Sequence, residues 1–424
     1  MKSLTKSIRS KLVSQAVHAQ VSLPVGNVLR DVRSAFFGLC INAGKAVLGA
    51  MMEAERTALC GPTGVPAVER TAYRGGHTRS SVVLGGRRIA IARPRARAIE
   101  AGELALPSFT WASHADPLNA ATMAAVAARV STRRYPTTLD PLPACEEESA
   151  VSRSAVSRRF VALSAERLRR WLTRRIEVAV PVVMIDGIHF MERVVLVALG
   201  FDAQGRKHVL GIREGSTEKT QVVRALLADL IERGLDPDAP RLWVIDGGKA
   251  LRRAITEIFG ETALVQRCQE HKRRNVLAHL PEELHASVGR ALRDAWNTRD
   301  AVLAQRQIER LASSLSKTHP GAAASLREGL AETLTLIHLG IDAALYRTFR
   351  TTNPIENLNG LIAHYTRNVK RWRNGEMVLR WVGVALHEAG RGFRAVRGYR
   401  EMKQLVNALT RRVPAPVDVK SKVA

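Results

Sequence analysis

Pro181-Val-Val-Met-Ile-Asp-Gly-Ile-His-Phe190 is a short apolar run that ends on a carboxylate, Asp186, and then turns at Gly187. The apolar residues before the acid are typical of a strand that is buried on both faces, in the centre of an α/β sheet. A carboxylate at the end of such a strand is costly to bury unless it is solvated, paired or bound to a metal. The pattern recurs at Arg241-Leu-Trp-Val-Ile-Asp-Gly-Gly248, so two apolar strands each lead to an aspartate, Asp186 and Asp246.

The elements around these two strands are predicted to follow a definite order. Apolar runs at 193–199 and 207–212 extend strand 182–185 into an antiparallel meander, because the links between them are short. The periodicity then predicts a helix over 216–233, a strand over 242–245, a helix over 249–259 and a strand over 263–266. Three antiparallel strands, a helix, a strand, a helix and a strand are the order of the ribonuclease-H-like fold.

The composition indicates the class of partner. With 424 residues the chain is expected to form two or three domains. Its net charge of +26 and its pI near 11.0 indicate a polyanion, with nucleic acid ahead of a membrane surface. No apolar run reaches the roughly 20 residues of a spanning helix, and the four cysteines lie too far apart for a disulfide framework or a zinc finger. We therefore expect a cytoplasmic, nucleoid-associated protein that binds DNA and no membrane.

A basic β-hairpin is predicted within residues 73–110. Strand-like runs lie on either side of Gly85-Gly86, which suits a two-residue turn. On the second arm, Arg87, Arg93 and Arg95 are predicted to be free to meet phosphate. A solvated hairpin without a DNA contact is an equally good interpretation.

A helix-turn-helix-like region is predicted over 111–176. Asp116 and Pro117 form a good N-cap and first helical position. A second, strongly basic helix follows, and small polar residues at its start suit a recognition helix. A basic amphipathic helix is also often just a solvated face. The side chains expected to contact DNA are Arg153, Arg158 and Arg159.

A third carboxylate, Glu356, stands near the start of a predicted helix, after Asn353 as N-cap and Pro354. Phosphodiester hydrolysis or exchange is commonly done with two divalent cations held by carboxylates. Asp186, Asp246 and Glu356 qualify by position as ligands of two Mg²⁺ ions, with Mn²⁺ as a substitute. Each also has a local explanation, because Asp-Gly is a common turn and a glutamate three residues after an N-cap suits a capping box.

Two basic segments follow the acids. In the first, Cys268 and His271 could be half of a zinc site, but no second Cys/His pair stands near. In the second, Trp372 could stack on an unpaired base or belong to the core. The residues predicted to contact DNA in these segments are Lys272, Arg273, Arg274, Lys370, Arg371, Trp372 and Arg373.

From about Tyr73 to about Leu409, the sequence resembles the bacterial mutator-type insertion-sequence transposases. Two segments are especially specific in combination, Gln266-Arg-Cys-Gln-Glu-His271 and Thr351-Thr-Asn-Pro-Ile-Glu-Asn-Leu-Asn359. The others that carry the resemblance are Tyr73-Arg-Gly-Gly76, Arg93-Pro-Arg95, Val130-Ser-Thr-Arg-Arg-Tyr135, Ser154-Ala-Val-Ser-Arg158, Asp186, Leu210-Gly-Ile212, Asp246-Gly247 and Arg274-Asn275.

The resemblance implies that Asp186, Asp246 and Glu356 are an acidic catalytic triad, and that Cys268 with His271 is the family's Cys-x-x-His signature. It implies that the N-terminal half recognises terminal inverted repeats. It also implies Mg²⁺-dependent nicking that frees a 3′-hydroxyl, followed by attack of that hydroxyl on target DNA. We expect a homodimer or a higher oligomer on the DNA.

Three other functions were weighed. A tyrosine recombinase could use His387, Arg391, Arg394 and Tyr399, but His387 and Arg391 do not have the His-x-x-Arg spacing, and the acids would have no use. A ribonuclease-H-like nuclease or resolvase would keep the acids without strand transfer. A non-catalytic DNA-binding regulator derived from a transposase would keep the basic helices and lose the acids, which this chain retains.

The predicted fold is α/β: a ribonuclease-H-like catalytic core with a helical insertion, preceded by a mainly helical DNA-binding region that contains a small β-hairpin. The predicted domains are an N-terminal helical region 1–72, the hairpin segment 73–110, the helix-turn-helix-like region 111–176, the first part of the core 177–280, the insertion 281–346, the second part of the core with the catalytic glutamate and basic C-terminal helices 347–410, and a disordered tail 411–424.

Overall fold

The computed structural model describes residues 32–65, 70–84, 87–100, 102–114, 148–149, 153–215, 220–260 and 263–412. The chain divides into two compact units, Met1–Leu163 and Ser164–Ala424. Each unit contains helices and one β-sheet, so the predicted α/β class is confirmed. The predicted helix after Asp116 and nearly all of the predicted tail lie outside the described residues.

The first unit is built on the predicted hairpin, which is confirmed. β1 (Ala72–Leu84) and β2 (Arg87–Ala98) pair antiparallel, with Leu84 opposite Arg87. Two short strands, β3 (Glu103–Leu104) and β4 (Glu148–Ser149), also pair with β2. Val82 and Ile91 of the hairpin pack against apolar residues of two helices, α1 (Val32–Cys60) and α2 (Pro107–His114).

The second unit contains a five-stranded sheet with the order β7-β6-β5-β8-β9. Its antiparallel half is the predicted meander of β5 (Val182–Phe190), β6 (Arg193–Phe201) and β7 (Lys207–Gly215). In the other half, β8 (Leu242–Ile245) and β9 (Leu264–Arg267) run parallel to β5. The predicted sequence of strands is therefore present, with β5 in the centre.

β5 does not end at Asp186 as predicted. It continues through Gly187 to Phe190, because β6 pairs with it along its whole length, from Val182 opposite Phe201 to Phe190 opposite Arg193. β8, by contrast, ends at Ile245 as predicted. Asp186 therefore lies just beyond the parallel pairing with β8 but within the antiparallel pairing with β6.

The helices of the second unit are mostly those predicted, and the helical content predicted for 281–346 is confirmed. None of the helices in the described part of the chain is long and apolar enough to cross a membrane. Their bounds are α3 (Arg153–Leu172, which begins in the first unit), α4 (Thr220–Glu232), α5 (Lys249–Phe259), α6 (Gln269–Leu277), α7 (Glu282–Asn297), α8 (Ala301–Leu315), α9 (Pro320–Arg327), α10 (Leu330–Thr333), α11 (Thr335–His338), α12 (Ala343–Phe349), α13 (Asn353–Thr366), α14 (Gly375–Gly390) and α15 (Met402–Arg412), with a 3₁₀ turn at Tyr399–Glu401.

The sheet has a hydrophobic layer on each face. Val182 and Met184 pack with the helices of 281–346 and of the C-terminal part, whereas Val183 and Ile185 pack with α4 and α5. Successive side chains of a strand point to opposite faces. A central strand between two helical layers must therefore be apolar at every position, which is the pattern seen at 182–185.

Candidate active site

The two aspartates lie side by side at one edge of the sheet. β5 and β8 pair in parallel up to Met184 opposite Val244, and Asp186 and Asp246 each follow two residues later. Because paired strands lie about 4.8 Å apart, the two aspartates lie on neighbouring strands just beyond the last parallel pair.

A glycine turn fixes Asp246. Gly247 has a φ of 103°, and a Cβ built there would lie 2.1 Å from the Nε of Arg267. Only glycine suits both the backbone conformation and the space. The turn brings the backbone N–H of Gly248 to the Oδ1 of Asp246, to which it donates at 2.8 Å. The carboxylate is thus oriented by a neutral donor.

Glu356 lies in the first turn of α13. The N-cap is Thr352 and not Asn353 as predicted, so the helix begins one residue earlier. The hydroxyl of Thr352 donates to Glu356 Oε1 at 2.5 Å. The capping-box geometry expected from the sequence is therefore replaced by a side-chain contact that orients the glutamate.

Asn359 connects α13 to β5. Its Nδ2 donates to Asp186 Oδ2 at 2.9 Å. Residues three apart share one face of a helix, so Glu356 and Asn359 both face the edge of the sheet that carries Asp186. We call Asp186, Asp246 and Glu356 the acid cluster.

Cys268, His271 and Thr352 tie α13 to the sheet, and we call these three residues the clasp. The Cys268 backbone N–H donates to the carbonyl of Ile245, at the end of β8, at 2.8 Å. The Cys268 Sγ accepts from the backbone N–H of Thr352 at 3.4 Å and of His271 at 3.5 Å. The Nδ1 of His271 lies 3.2 Å from the Thr352 hydroxyl. The clasp therefore holds the start of α13 next to the end of β8.

His271 lies next to one of the acids, Glu356. Its Nδ1 is 3.7 Å from Glu356 Oε1. A hydrogen bond with Cys268 raises the pKa of His271 against the effect of burial, and the charges of Cys268, Glu356 and Asp246 raise it further. Burial opposes ionisation of the Cys268 thiol, but hydrogen bonds from His271 and Thr352 outweigh it and lower the pKa of that thiol. The imidazole therefore lies next to Glu356, and the charges of Glu356 and Asp246 both act on it.

The oxygen donors of the acid cluster fit a hard cation. Three carboxylates and the amide oxygen of Asn359 are ligands of the kind that Mg²⁺ prefers. Asn359 Oδ1 is buried and has no hydrogen-bond partner within the described residues, as expected of an atom that binds a cation or the water of a cation. The ligand atoms of Cys268, His271 and Glu356 also lie within 4.8 Å of one another. That set suits a softer metal, but its thiol already accepts two backbone N–H groups.

Lys272, predicted to contact DNA, is buried. Its side chain is 2% exposed, and its ammonium donates to the carbonyls of Ser325 and Glu328. Burial lowers the pKa of Lys272 to about 8. The ammonium therefore has no free face for a phosphate, and the residue supports the packing of α6 against α9.

The other predicted DNA contacts of this region are at the surface, with different partners. Arg273 and Arg274 pair with Glu270, so part of their charge is compensated. Lys370, Arg371 and Arg373 are exposed. Trp372 is half-buried, and its ring meets the edge of Phe190, with 4.9 Å between the ring centres. Trp372 was predicted either to stack on a base or to belong to the core, and the position of its ring fits packing in the core.

The basic residues of the first unit are partly paired. Arg93 and Arg95, predicted to be free to meet phosphate, both form ion pairs with Glu103, at 2.6 and 2.8 Å. That prediction was wrong, because β3 places Glu103 next to β2. In α3, which begins at Arg153, Arg158 is exposed and Arg159 is half-buried.

The sequence reasoning assigned no role to Thr352 or Asn359. Both lie in the segment that carries the family resemblance, four residues before and three residues after Glu356. Those spacings place them on the helix face of the glutamate. The signal was therefore present in the sequence, but their contacts with His271 and Asp186 depend on residues far away in the chain.

Comparison with known proteins places the chain among the transposases. A model described as "Transposase, Mutator family" matches residues 30–395. Because the match spans most of the chain, the protein belongs to the Mutator family of transposases. The resemblance inferred from its motifs is thereby confirmed.

Several similar proteins are transposases of insertion sequences. The transposase for insertion sequence element ISRM5 of Rhizobium meliloti is 27% identical over 372 residues, 85% of this chain and 90% of that protein. The transposase for IS6120 of Mycolicibacterium smegmatis is 32% identical over 192 residues, 44% of this chain and 58% of that protein. The transposase for IST2 of Acidithiobacillus ferrooxidans is 29% identical over 201 residues, 45% of this chain and 67% of that protein.

Proposed function

We propose that this protein is a DDE-type DNA transposase of an insertion sequence, with Asp186, Asp246 and Glu356 as its catalytic acids. It binds terminal inverted repeats, nicks the DNA at the element's end, and joins the freed 3′-hydroxyl to target DNA. The observation that supports the proposal is the placement of the acids: Asp186 and Asp246 follow the last parallel pair of β5 and β8, and Asn359, three residues after Glu356 on α13, donates to Asp186.

The core is proposed to be ribonuclease-H-like. Three antiparallel strands, a helix, a parallel strand, a helix and a further parallel strand follow one another from β5 to β9. The helices α7 to α12 lie between the second aspartate and the glutamate, as an insertion would. This order supports the fold assignment, and both aspartates lie two residues beyond the last parallel pair of β5 and β8.

The proposed cofactor is a pair of Mg²⁺ ions, with Mn²⁺ as a substitute, held by the acid cluster and the amide oxygen of Asn359. Bound divalent cations would activate the attacking oxygen and stabilise the leaving one. The protein's own part is to fix the donors in advance. Gly248 orients Asp246, Asn359 orients Asp186, and Thr352 orients Glu356.

DNA is the proposed partner because of the charge of the chain, +26. Exposed cations in the segment between α13 and α14, such as Lys370, Arg371 and Arg373, are available to meet backbone phosphates. Transposition needs two element ends and a target, so we propose a homodimer or a higher oligomer on DNA, associated with the nucleoid.

The test is metal-dependent nicking of an oligonucleotide duplex that carries the element's end. Wild-type protein is expected to nick with Mg²⁺ or Mn²⁺ and not with EDTA. Asp186→Asn, Asp246→Asn and Glu356→Gln should each lower the rate by roughly a thousandfold or more, because each removes a charged ligand. All three should bind the duplex at least as tightly as wild type.

Asp294→Asn is the matched control, since Asp294 is an exposed acid on α7, and it should cut normally. Undiminished nicking by Asp186→Asn would contradict the carboxylate mechanism. Nicking without any joined product would favour the nuclease or resolvase.

A further inference from the structure

A cavity of about 380 Å³ lies at the start of β7, apart from the acid cluster. Its walls come from the second half of α3, from Lys207 to Val209 of β7, and from the last part of α14 with Phe393. All of these residues belong to the second unit. We call this feature the basic cavity.

The strand register separates the basic cavity from the acids. Lys207 pairs with Phe201, which pairs with Val182, whereas Asp186 is four residues further along β5. Four residues of strand span about 13 Å, and two neighbouring strands add about 10 Å across the sheet. The two sites therefore cannot share the same nucleotide.

Cations dominate the walls. Arg167, Arg174, Lys207 and Arg391 line the cavity, together with two histidines, and no carboxylate lines it. Arg391 pairs with Glu388. Within the described residues, Arg167, Arg174 and Lys207 have no carboxylate partner. Burial lowers the pKa of Lys207, as expected where a positive charge loses water and gains no partner. Such a site favours a ligand that brings negative charge.

Aromatic rings form part of the same walls. Trp171 and Phe393 both line the cavity and are half-buried. The Lys207 ammonium lies 5.7 Å from the centre of the Phe393 ring. A flat ring beside cations is the combination that recognises a nucleobase with its phosphate.

Glycines of α14 keep the space open. Gly383 and Gly390 line the cavity, two helical turns apart on one face of the helix. A Cβ at Gly390 would meet no atom within 4 Å, so a larger side chain could occupy this space without a clash. Pockets of a few hundred Å³ are of the size that holds small organic groups.

We propose that the basic cavity binds an unpaired nucleotide of a DNA strand, with the base against Trp171 and Phe393 and the phosphates on Arg167, Arg174 and Lys207. The inference rests on the proposed function for its choice of DNA as partner. A strand is favoured over a free nucleotide because a second cavity of about 320 Å³ continues along β7 and shares Arg174, His208 and Val209 with the first. Neighbouring nucleotides of one strand can therefore follow the same surface.

Photocrosslinking tests the location directly. The full-length protein is irradiated with a single-stranded oligonucleotide that carries 5-iodouracil, and the adducts are mapped by mass spectrometry. Adducts on Trp171 or Phe393 are expected, and they should also form in the Asp186→Asn protein, which keeps the cavity. Absence of adducts from both rings would overturn the proposal.

Binding measurements with three variants test the chemistry. Trp171→Leu should weaken single-strand binding by roughly tenfold through lost stacking. Lys207→Gln should make the slope of log affinity against log salt shallower by about 0.7, the value for one phosphate contact on a single strand. Gly390→Leu should fill the cavity and weaken single-strand binding while duplex binding is kept. Arg306→Gln, an equal loss of charge at an exposed position on α8, should not reproduce these changes.

The outcomes separate this proposal from the catalytic one. Wild-type affinity in both Trp171→Leu and Gly390→Leu would overturn the basic cavity as a nucleotide site even if the protein nicks DNA. Competition by a mononucleotide at the oligonucleotide's own affinity would overturn the DNA strand in favour of a free nucleotide. Crosslinking at Trp171 without any metal-dependent nicking would support the cavity and contradict the proposed catalysis.

Discussion

The acid cluster and the basic cavity lie at different places on one sheet and carry opposite charges. Within the described residues, Asp246 and Glu356 have no lysine or arginine partner, whereas acids elsewhere in the unit do, for example Glu257 with Arg224. In the basic cavity, Arg167, Arg174 and Lys207 have no carboxylate partner within the described residues. Both sites are therefore expected to be completed by ligands, cations at the first and phosphates at the second.

The comparison predicts that each site can be damaged without the other. Changes at the acid cluster should lower the rate of cutting and spare single-strand binding. Changes to residues that line the basic cavity should weaken single-strand binding and spare the rate of cutting. Changes to residues that only support the cavity should lower the stability of the protein.

Beyond the acids themselves, the largest expected effect is that of Cys268→Ala. The change removes the acceptor of two backbone N–H groups, one of them at the start of α13. Loss of a group that orients a metal ligand typically costs about 10- to 100-fold in activity. We expect that loss in the nicking rate, together with a higher Mg²⁺ requirement, because Glu356 becomes less well placed.

Cys268→Ser should recover part of the rate, since a hydroxyl can accept the same bonds at shorter range. Cys40→Ala, at an exposed free thiol, is the control. Full activity in Cys268→Ala would show that the clasp does not position the glutamate. Weaker single-strand binding in the same variant would contradict the prediction that the two sites can be damaged independently.

A smaller effect, on stability, is expected from Asp202→Asn. Asp202 is 1% exposed and accepts bonds from His208, which lines the basic cavity, and from Arg206 and two backbone N–H groups. Burial opposes its ionisation, but the bonds from His208 and Arg206 outweigh it and lower its pKa. Removing the charge should cost about 1–3 kcal/mol of unfolding free energy, measured by urea denaturation.

The sign of this contribution gives a pH test. A carboxyl whose folded pKa is lowered stabilises the protein above its unfolded pKa, and the contribution is lost as the pH falls through the folded pKa. The stability gap between wild type and Asp202→Asn should therefore be full at neutral pH and shrink below the ordinary value of 3.8. Asp238→Asn, at an exposed acid, should show no gap. A gap that grows with acidity would contradict the assignment.

The smallest effect is expected from Asn359→Ala. The change removes one hydrogen bond from a neutral amide to the Asp186 carboxylate and one oxygen donor. A hydrogen bond to a charged group contributes about 1.5 kcal/mol or more, so the Mg²⁺ concentration for half-maximal nicking should rise by up to about tenfold, with single-strand binding unchanged. Asn407→Ala, on the exposed face of α15, is the comparison. An unchanged metal dependence would limit Asn359 to a packing role.

Much of the fold could be predicted because the buried strands are continuous apolar runs. The errors came from local signals that distant contacts override. Asp186-Gly187 has the sequence of a turn, yet pairing with β6 extends the strand to Phe190. Asn353 is a good N-cap, yet the bond from Thr352 to Cys268 fixes the start of the helix one residue earlier.

The acid cluster was predictable in part, because the strand-end pattern points to each aspartate. Which basic residues lie at the surface could not be predicted. Lys272 looks like its neighbours in the sequence, but it is buried by carbonyls that lie more than fifty residues later, at Ser325 and Glu328. The basic cavity could not be predicted either, because its walls come from three segments that only the fold brings together.

The segment from α6 to α12 leaves the sheet and comes back to it at neighbouring residues. The backbone N–H of Gln269 donates to the carbonyl of Arg350 at 3.0 Å, so the exit and the re-entry of the intervening helices are tied to each other. Helices added or shortened in between would not shift Glu356, provided that their apolar faces still cover the sheet. The segment between Gln269 and Arg350 is therefore where the length of this chain could change without moving Glu356 away from the end of β8.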